Sequence, residues 1–468
     1  MTARPLTEKP RAISNASRPL ALASSAILLT VAHFGGFGGR MGLTPEAERA
    51  FAILLVAALL WISEAVPLFV TSFVVLFLEL VWLAPSLASA GVQGASGKFL
   101  APFFSDVVLL FLGGFVISGA LGAFELDARL ARGVLARTGR KPVAVLFGMM
   151  AATAFLSMWM SNTATTAMML ALGVSLIRHV PERDAYRKAL LLGIPFAANL
   201  GGLMTPVGSP PNAIAIRYMG ATGAAPSFAY WMALTAPIVI ALLAATGWFL
   251  TRKFRTSLSE IDIPVRANPP LSGRAKVVLS VSLLTALGWL TADLHGLSPG
   301  SVALVPVVVL FGAGILAIPD LRALPWDVLV IVGGGLSLGV AVEESGLSRW
   351  FVSHVPAGEA GLVVVLPVFC VLAAVMSAFM SNTAAANLLM PIVVGIEGVP
   401  SLPIVLAVAC ACSVSMPLPV STPPNAMVFS SGHVSVRDMF VPGMFATVIG
   451  VLLTVSAGAY FWHLLGLF

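Results

Sequence analysis

Two short phrases place hydrogen-bonding side chains inside apolar runs. Ser161-Asn162-Thr163 stands in SMWMSNTATTAMML, residues 157–170, and Ser381-Asn382-Thr383 stands in SAFMSNTAAANLLM, residues 377–390. Each triplet offers two hydroxyls and one amide. Their oxygens can ligate a hard cation such as Na⁺, and their hydrogens can meet a carboxylate. Polar groups in apolar surroundings are costly without a partner. A second duplicated phrase follows each triplet: TPVGSPPNAIA, residues 205–215, and PVSTPPNAMVF, residues 419–429. Proline cannot continue a helix, and it pushes the preceding residue out of helical geometry. The expectation is a pair of broken helices whose free carbonyls bind cations, with Gly201, Gly202 and Gly208 loosening the first of them. A lone triplet in a membrane helix would be read as packing between helices. Two, each with the same companion motif, point to a binding site.

The expected site has no fixed positive side chain. The hairpin segments 142–177 and 361–396 contain no Lys, Arg or His, and Arg217 lies beyond the first Pro-Pro-Asn. Helix dipoles supply roughly half a charge each. An anion bound here must therefore be neutralised by cations that enter with it. Sodium is favoured over a proton relay, which would need an intramembrane Asp, Glu or His near the motifs. An intramembrane hydrolase is excluded by the lack of a base beside any Ser or Thr of the motifs. Cys370, Cys410 and Cys412 all lie in apolar runs and read as core packing.

The elements that hold these motifs follow from composition. The 468 residues are 58% hydrophobic and 10% charged, against roughly 25% charged in a soluble domain. This is an all-α polytopic membrane protein, and a nucleic-acid partner is excluded because Lys and Arg fall in short clusters between apolar spans. The expected spans are 19–35, 48–63, 65–84, 105–124, 189–218, 229–251, 276–293, 300–318, 327–343, 401–430 and 441–465, interrupted by the two long stretches 142–177 and 361–396.

Basic clusters lie in the N-terminal segment 1–18, at 129–141, at 178–188 and in the linker 252–275. The positive-inside rule places them all in the cytoplasm. Both ends of stretch 142–177 then face the same side, and the arm after Thr166 is too short to cross a core ~30 Å thick. The stretch is expected to be a re-entrant hairpin with its triplet at the tip. The N-terminus is placed in the cytoplasm and the C-terminus outside. Segment 128–141 reads as a helix on the membrane surface. Asp106 and Asp327 read as helix starts, Glu64 as a cap or ion pair at a turn, and Glu79, deep in a span, has no evident role.

SDVVLLFLGGFVISGALGAFEL from Ser105 resembles WDVLVIVGGGLSLGVAVEESGL from Trp326, so three features recur in one order. The halves are 45–251 and 276–468, after a first span and outer loop at 19–44. An odd number of crossings separates them, so their topologies are opposite. Inverted repeats with broken helices meeting at mid-membrane are a mark of secondary transporters; they suit alternating access better than a channel.

The paired triplets, the paired Ser/Thr-Pro-Pro-Asn motifs and WISEAVPLFVTS at 61–72 resemble the divalent anion/sodium symporter family, the INDY-type dicarboxylate transporters. The resemblance covers 45–468. It implies about eleven transmembrane helices with two re-entrant hairpins, a homodimer, and an elevator mechanism in a bacterial inner membrane. It implies sodium symport of C4-dicarboxylates such as succinate, malate or fumarate. Citrate, sulfate or sodium-independent exchange are the alternatives. By resemblance, substrate would meet Ser161, Asn162, Thr163, Ser381, Asn382 and Thr383, with Pro210 and Pro423 beside them. One sodium would use Ser157, Ser161, Asn162 and the backbone at Gly208; a second would use Ser377, Asn382 and the backbone near Ser421.

Overall fold

The computed structural model describes residues 17–34, 41–221, 225–261, 270–354, 357–396 and 399–467. Most of the 1–18 segment, and the middle of the 252–275 linker, lie outside the described residues. Helices and their connections make up the described chain, and seven of the described helices are long and apolar enough to cross a membrane on their own.

The first stretch folds as two helices, Pro142–Ser157 and Asn162–Ile177. Each has 16 residues, about 24 Å at 1.5 Å per residue. Both arms are longer than the apolar count after Thr166 suggested, because the second helix starts at Asn162 itself. Both still fall short of a full crossing. The second stretch folds as Ala357–Phe379 and Asn382–Val394. The broken helices are Tyr186–Leu203 with Pro210–Ala221, and Ser401–Val414 with Pro423–Ser430. The Pro-Pro pairs open the second segments, where a missing N–H costs nothing.

The open ends of the two hairpins meet different parts of the chain. At one end Arg140 O accepts from Ile261 N at 2.8 Å, and Asp184 Oδ2 accepts from the Thr256 hydroxyl at 2.6 Å. Lys188 pairs there with Asp438 at 3.0 Å. Residues just before and just after the first hairpin thus share the basic end. The second hairpin follows helix Leu347–His354, whose Trp350 Nε1 donates to Met41 O at 2.7 Å. Lys98 and Glu344 pair nearby at 2.7 Å.

The repeated Gly-Gly explains two close helix pairs. A Cβ on Gly113 would lie 2.2 Å from Ala303 O, and one on Gly334 would lie 2.3 Å from Ser72 Cβ. Helix Asp106–Ala123 therefore seats against Pro299–Gly312, and Trp326–Glu344 against Leu68–Leu78. Each contact joins one half to the other.

Asp106 does more than start its helix. It stands in the first turn of its own helix, but its Oδ1 accepts from Gly300 N at 3.0 Å and from the Ser298 hydroxyl, so it ties down the start of Pro299–Gly312. Glu64 ends helix Pro45–Ser63 in the left-handed region, at φ 47. The surface helix is Leu126–Leu135, with Leu126, Asp127, Ala131 and Leu135 buried along it.

Candidate functional site

Each triplet opens a helix. Ser161 Oγ accepts from Ala164 N at 3.2 Å, and Ser381 Oγ accepts from Ala384 N at 3.1 Å. These are N-caps. They leave the first amides of both second arms, at Asn162 and Thr163 and at Asn382 and Thr383, without intrahelical acceptors.

The asparagine of each triplet turns back toward its own first arm. Ser157 Oγ lies 2.6 Å from the Asn162 amide, and the Ser377 hydroxyl donates to Asn382 Oδ1 at 2.7 Å. The end of the Asn162 amide that faces Ser157 also faces Gly208 O at 3.3 Å and Ala198 O at 3.1 Å. Three oxygens therefore surround one end of this side chain. With its nitrogen there, the amide donates to all three. With its oxygen there, four oxygens converge, which is the donor set of a hard cation. All four belong to neutral groups, so the site fits a monovalent ion better than a divalent one. Among the described residues no group of three His, Cys, Asp or Glu could hold a metal.

Close backbone approach makes this cluster possible. A Cβ on Gly202 would lie 2.3 Å from Asn162 Oδ1, and one on Gly208 would lie 2.5 Å from Gly202 O. The sequence expectation that Gly201 and Gly202 loosen the helix is corrected here: Tyr186–Leu203 runs through both as regular helix. Their role is proximity. Any side chain at Gly201 would meet Ala154 O at 2.3 Å.

The expectation of free carbonyls at the breaks is also corrected. Asn212 Nδ2 donates to Gly202 O at 2.8 Å and Thr205 O at 2.7 Å. Asn425 Nδ2 donates to Met416 O and Leu418 O, both at 3.0 Å. The Asn of each Pro-Pro-Asn reaches back and satisfies carbonyls that the break orphaned. Gly208 O stays directed at Asn162. Ser421, the counterpart of Gly208, does more than supply backbone: its hydroxyl donates to Ala378 O at 2.9 Å, tying the second break to the second hairpin. Asn199, which the sequence reading did not single out, joins the halves. Its Nδ2 donates to Thr422 Oγ1 at 3.1 Å and to Asn425 Oδ1 at 3.4 Å. The second arm of each hairpin packs on the Pro-Pro segment of the other half.

Exposure sorts the candidates into two sets. Ser161, Asn162, Ser381, Asn382, Thr383 and Pro210 are half-buried, and Thr163 and Pro423 are exposed. Ser157, Gly208, Ser377 and Ser421 are buried. A cavity of ≈ 450 Å³ runs from Met160 and Ser161 to Asp127 and Asp320. Asp320 Oδ2 there accepts from Ala317 N at 2.7 Å. Burial pushes the Asp127 carboxyl above its ordinary range, with Glu125 adding to the shift against the lowering by its backbone hydrogen bonds and by Arg132.

With this geometry in view, the relationships are specific. A family model described as the sodium:sulfate symporter transmembrane region matches residues 25–468. The chain belongs to this divalent anion/sodium symporter family. It is a membrane transporter and not an enzyme. The sodium-dependent dicarboxylate transporter SdcS of Staphylococcus saprophyticus is 31% identical over 458 residues, covering 88% of this chain and 86% of that one. An uncharacterized transporter of Schizosaccharomyces pombe is 31% identical over 444 residues, and the chain spans 50% of its length. Among solved structures, the YdaH transporter of Alcanivorax borkumensis, described as having an unusual topology, aligns with a TM-score of 0.54 at 14% identity. That alignment covers 84% of this chain and 98% of the other, and it speaks for the fold alone. In this symporter-family chain the paired triplets are the family-like feature legible in sequence; the capping Asn212 and Asn425 needed coordinates.

Proposed function

We propose that this chain is a sodium-coupled symporter of small divalent anions, with C4-dicarboxylates as the best fit. The observation that carries the reading is the division by burial. Groups able to donate hydrogen bonds to a carboxylate are open, while the oxygens suited to Na⁺ lie directly behind them. Thr163 and Thr383 are the open hydroxyls, and neither has a hydrogen-bond partner among the described residues. The uncapped amides at Asn162, Thr163, Asn382 and Thr383 mark two helix N-termini, which favour anions. Two such ends contribute about one positive charge between them. A dianion needs more, and sodium in the oxygen cluster of Ser157, Asn162, Gly208 and Ala198, with Ser161 beside it at the helix start, and a second at Ser377, Asn382 and Ser421, supplies it.

Coupling then has a local cause. Na⁺ would draw the Asn162 oxygen toward Ser157 and Gly208, turning the amide nitrogen outward to the substrate. Sodium binding and substrate donation thus become one event. The cavity from Ser161 toward Asp127 joins the first tip to the basic end, which supports a cytoplasm-facing state. Alternating access by an elevator movement, the eleven-span count, the homodimer and the bacterial inner membrane with an outside C-terminus rest on the family resemblance.

Thermal stabilisation tests the reading. Succinate should raise the melting temperature in sodium and leave it unchanged in potassium. Thr163→Ala and Thr383→Ala should each raise the succinate needed by about tenfold or more, the loss of one hydrogen bond to a charged group. The sodium midpoint should stay within about twofold. Equal damage to both ligands would mean that the threonines serve the fold and would contradict their assignment. Citrate and sulfate in the same panel separate the substrate classes.

A further inference from the structure

Glu79 is fully buried, in a π-helical turn, Glu79–Leu83, within the span Leu68–Ser89. Its Oε2 meets the Ser337 hydroxyl, and its Oε1 has no partner. Ser337 Oγ also lies 2.9 Å from Phe99 O. A serine hydroxyl carries one hydrogen, and a carbonyl can only accept. If Ser337 donates to Glu79, the contact with Phe99 is oxygen against oxygen. If it donates to Phe99, the contact with Glu79 needs another hydrogen. Both bonds form when the hydrogen between them belongs to Glu79. Serine then accepts from the carboxyl and donates to Phe99.

The charges around Glu79 support the same assignment. From helix Pro45–Ser63, the Arg49 guanidinium is turned to Trp82 O at 3.2 Å, Glu46 accepts from the Ser86 hydroxyl, and Glu48 adds a further carboxylate. From Ala95–Leu100, Lys98 is held by Glu344. Helices Leu68–Leu78 and Ala84–Ser89 bring no titratable group. Trp326–Glu344, which carries Ser337, adds Asp327, Glu343 and Glu344. Arg217 and Tyr218 come from Pro210–Ala221. Glu79 makes no ion pair among the described residues. A bare carboxylate in such a place is strongly disfavoured.

We propose that Glu79 is a proton-binding site, separate from both sodium clusters, and that it is loaded in this conformation. Its occupancy is linked to movement of the Pro-Pro segment. Tyr218, on Pro210–Ala221, places its hydroxyl 1.7 Å from where a Cβ on Gly339 would stand, two residues from Ser337. That hydroxyl has no partner and lies within electrostatic reach of Glu79. Sliding Pro210–Ala221 along this groove changes the surroundings of the carboxyl. Acid keeps the site loaded. Alkali empties it and strands a negative charge in the seam. The linkage rests on the transport reading; the protonation does not.

Infrared spectroscopy of the full chain in lipid tests the protonation directly. At neutral pH the wild type should show the carbonyl stretch of a protonated carboxylic acid that Glu79→Gln lacks. In Ser337→Ala this band should persist at higher frequency, because the acceptor is gone. Identical wild-type and Glu79→Gln spectra, or a band unmoved in Ser337→Ala, would overturn the site. For the linkage, sodium-driven uptake by the wild type should fall several-fold from neutral to alkaline pH, while Glu79→Gln stays flat. Parallel pH profiles would overturn the linkage. A band present in protein that transports nothing would keep the proton site and remove the transport reading.

Discussion

Gly202→Val is expected to eliminate sodium-dependent stabilisation by substrate. The residue has no spare space. A Cβ there would lie 2.3 Å from Asn162 Oδ1 and 2.9 Å from Gly208 O, and Asn162 is the side chain that both ligands are proposed to share. The added atoms can be accommodated only by pushing the hairpin tip off the break. Overpacking of this kind costs about 1–3 kcal/mol, so the protein should still fold while its ligand response is lost. Gly97→Val is the matching control. Gly97 is exposed in helix Ala95–Leu100, and nothing lies within 4 Å of a Cβ there. Melting curves with sodium and succinate should separate the two variants. A normal ligand response in Gly202→Val would mean that the oxygen cluster is not the cation site.

Asn212→Ala should produce a large loss of stability. The side chain is completely buried and satisfies Gly202 O and Thr205 O together. Truncation leaves Gly202 O without a donor and Thr205 O with Gly208 N at 3.3 Å alone, at a cost of about 1–3 kcal/mol for the orphaned carbonyl. The break would lose the groups that fix its shape, and Gly208 O would no longer be aimed at Asn162. Asn425→Ala should cost a similar amount, since it frees Met416 O, leaves Leu418 O with Ser421 N at 3.1 Å alone, and breaks the link from Asn199. Chemical or thermal unfolding measures both. If Asn212→Ala melted like the wild type, the asparagine would not be holding the break.

Much of this architecture was written in repetition and charge. The triplets marked both tips because each begins with a serine that caps a helix, and the Pro-Pro pairs marked both breaks because proline belongs in a first turn. The basic clusters led to the expectation that both ends of the first hairpin share one side, and Arg140, Asp184 and Thr256 do lie together at one end. What stayed hidden depends on through-space distance. Nothing in the order of residues says that Asn212 folds back ten residues to Gly202. Gly201 and Gly202 read as flexibility, whereas their use is contact with a neighbouring backbone. Glu79 had no visible role because its partners, Ser337 and Phe99, come from distant parts of the chain. Asn199 gave no motif signal for the same reason.

Uptake of labelled succinate into proteoliposomes tests the central claim most directly. With an inward sodium gradient, the label should accumulate above its external concentration. With potassium replacing sodium it should not. Equal accumulation in sodium-free medium, with no counter-solute inside, would contradict the account, because the dianion would then be crossing without the cations that the two oxygen clusters are argued to hold.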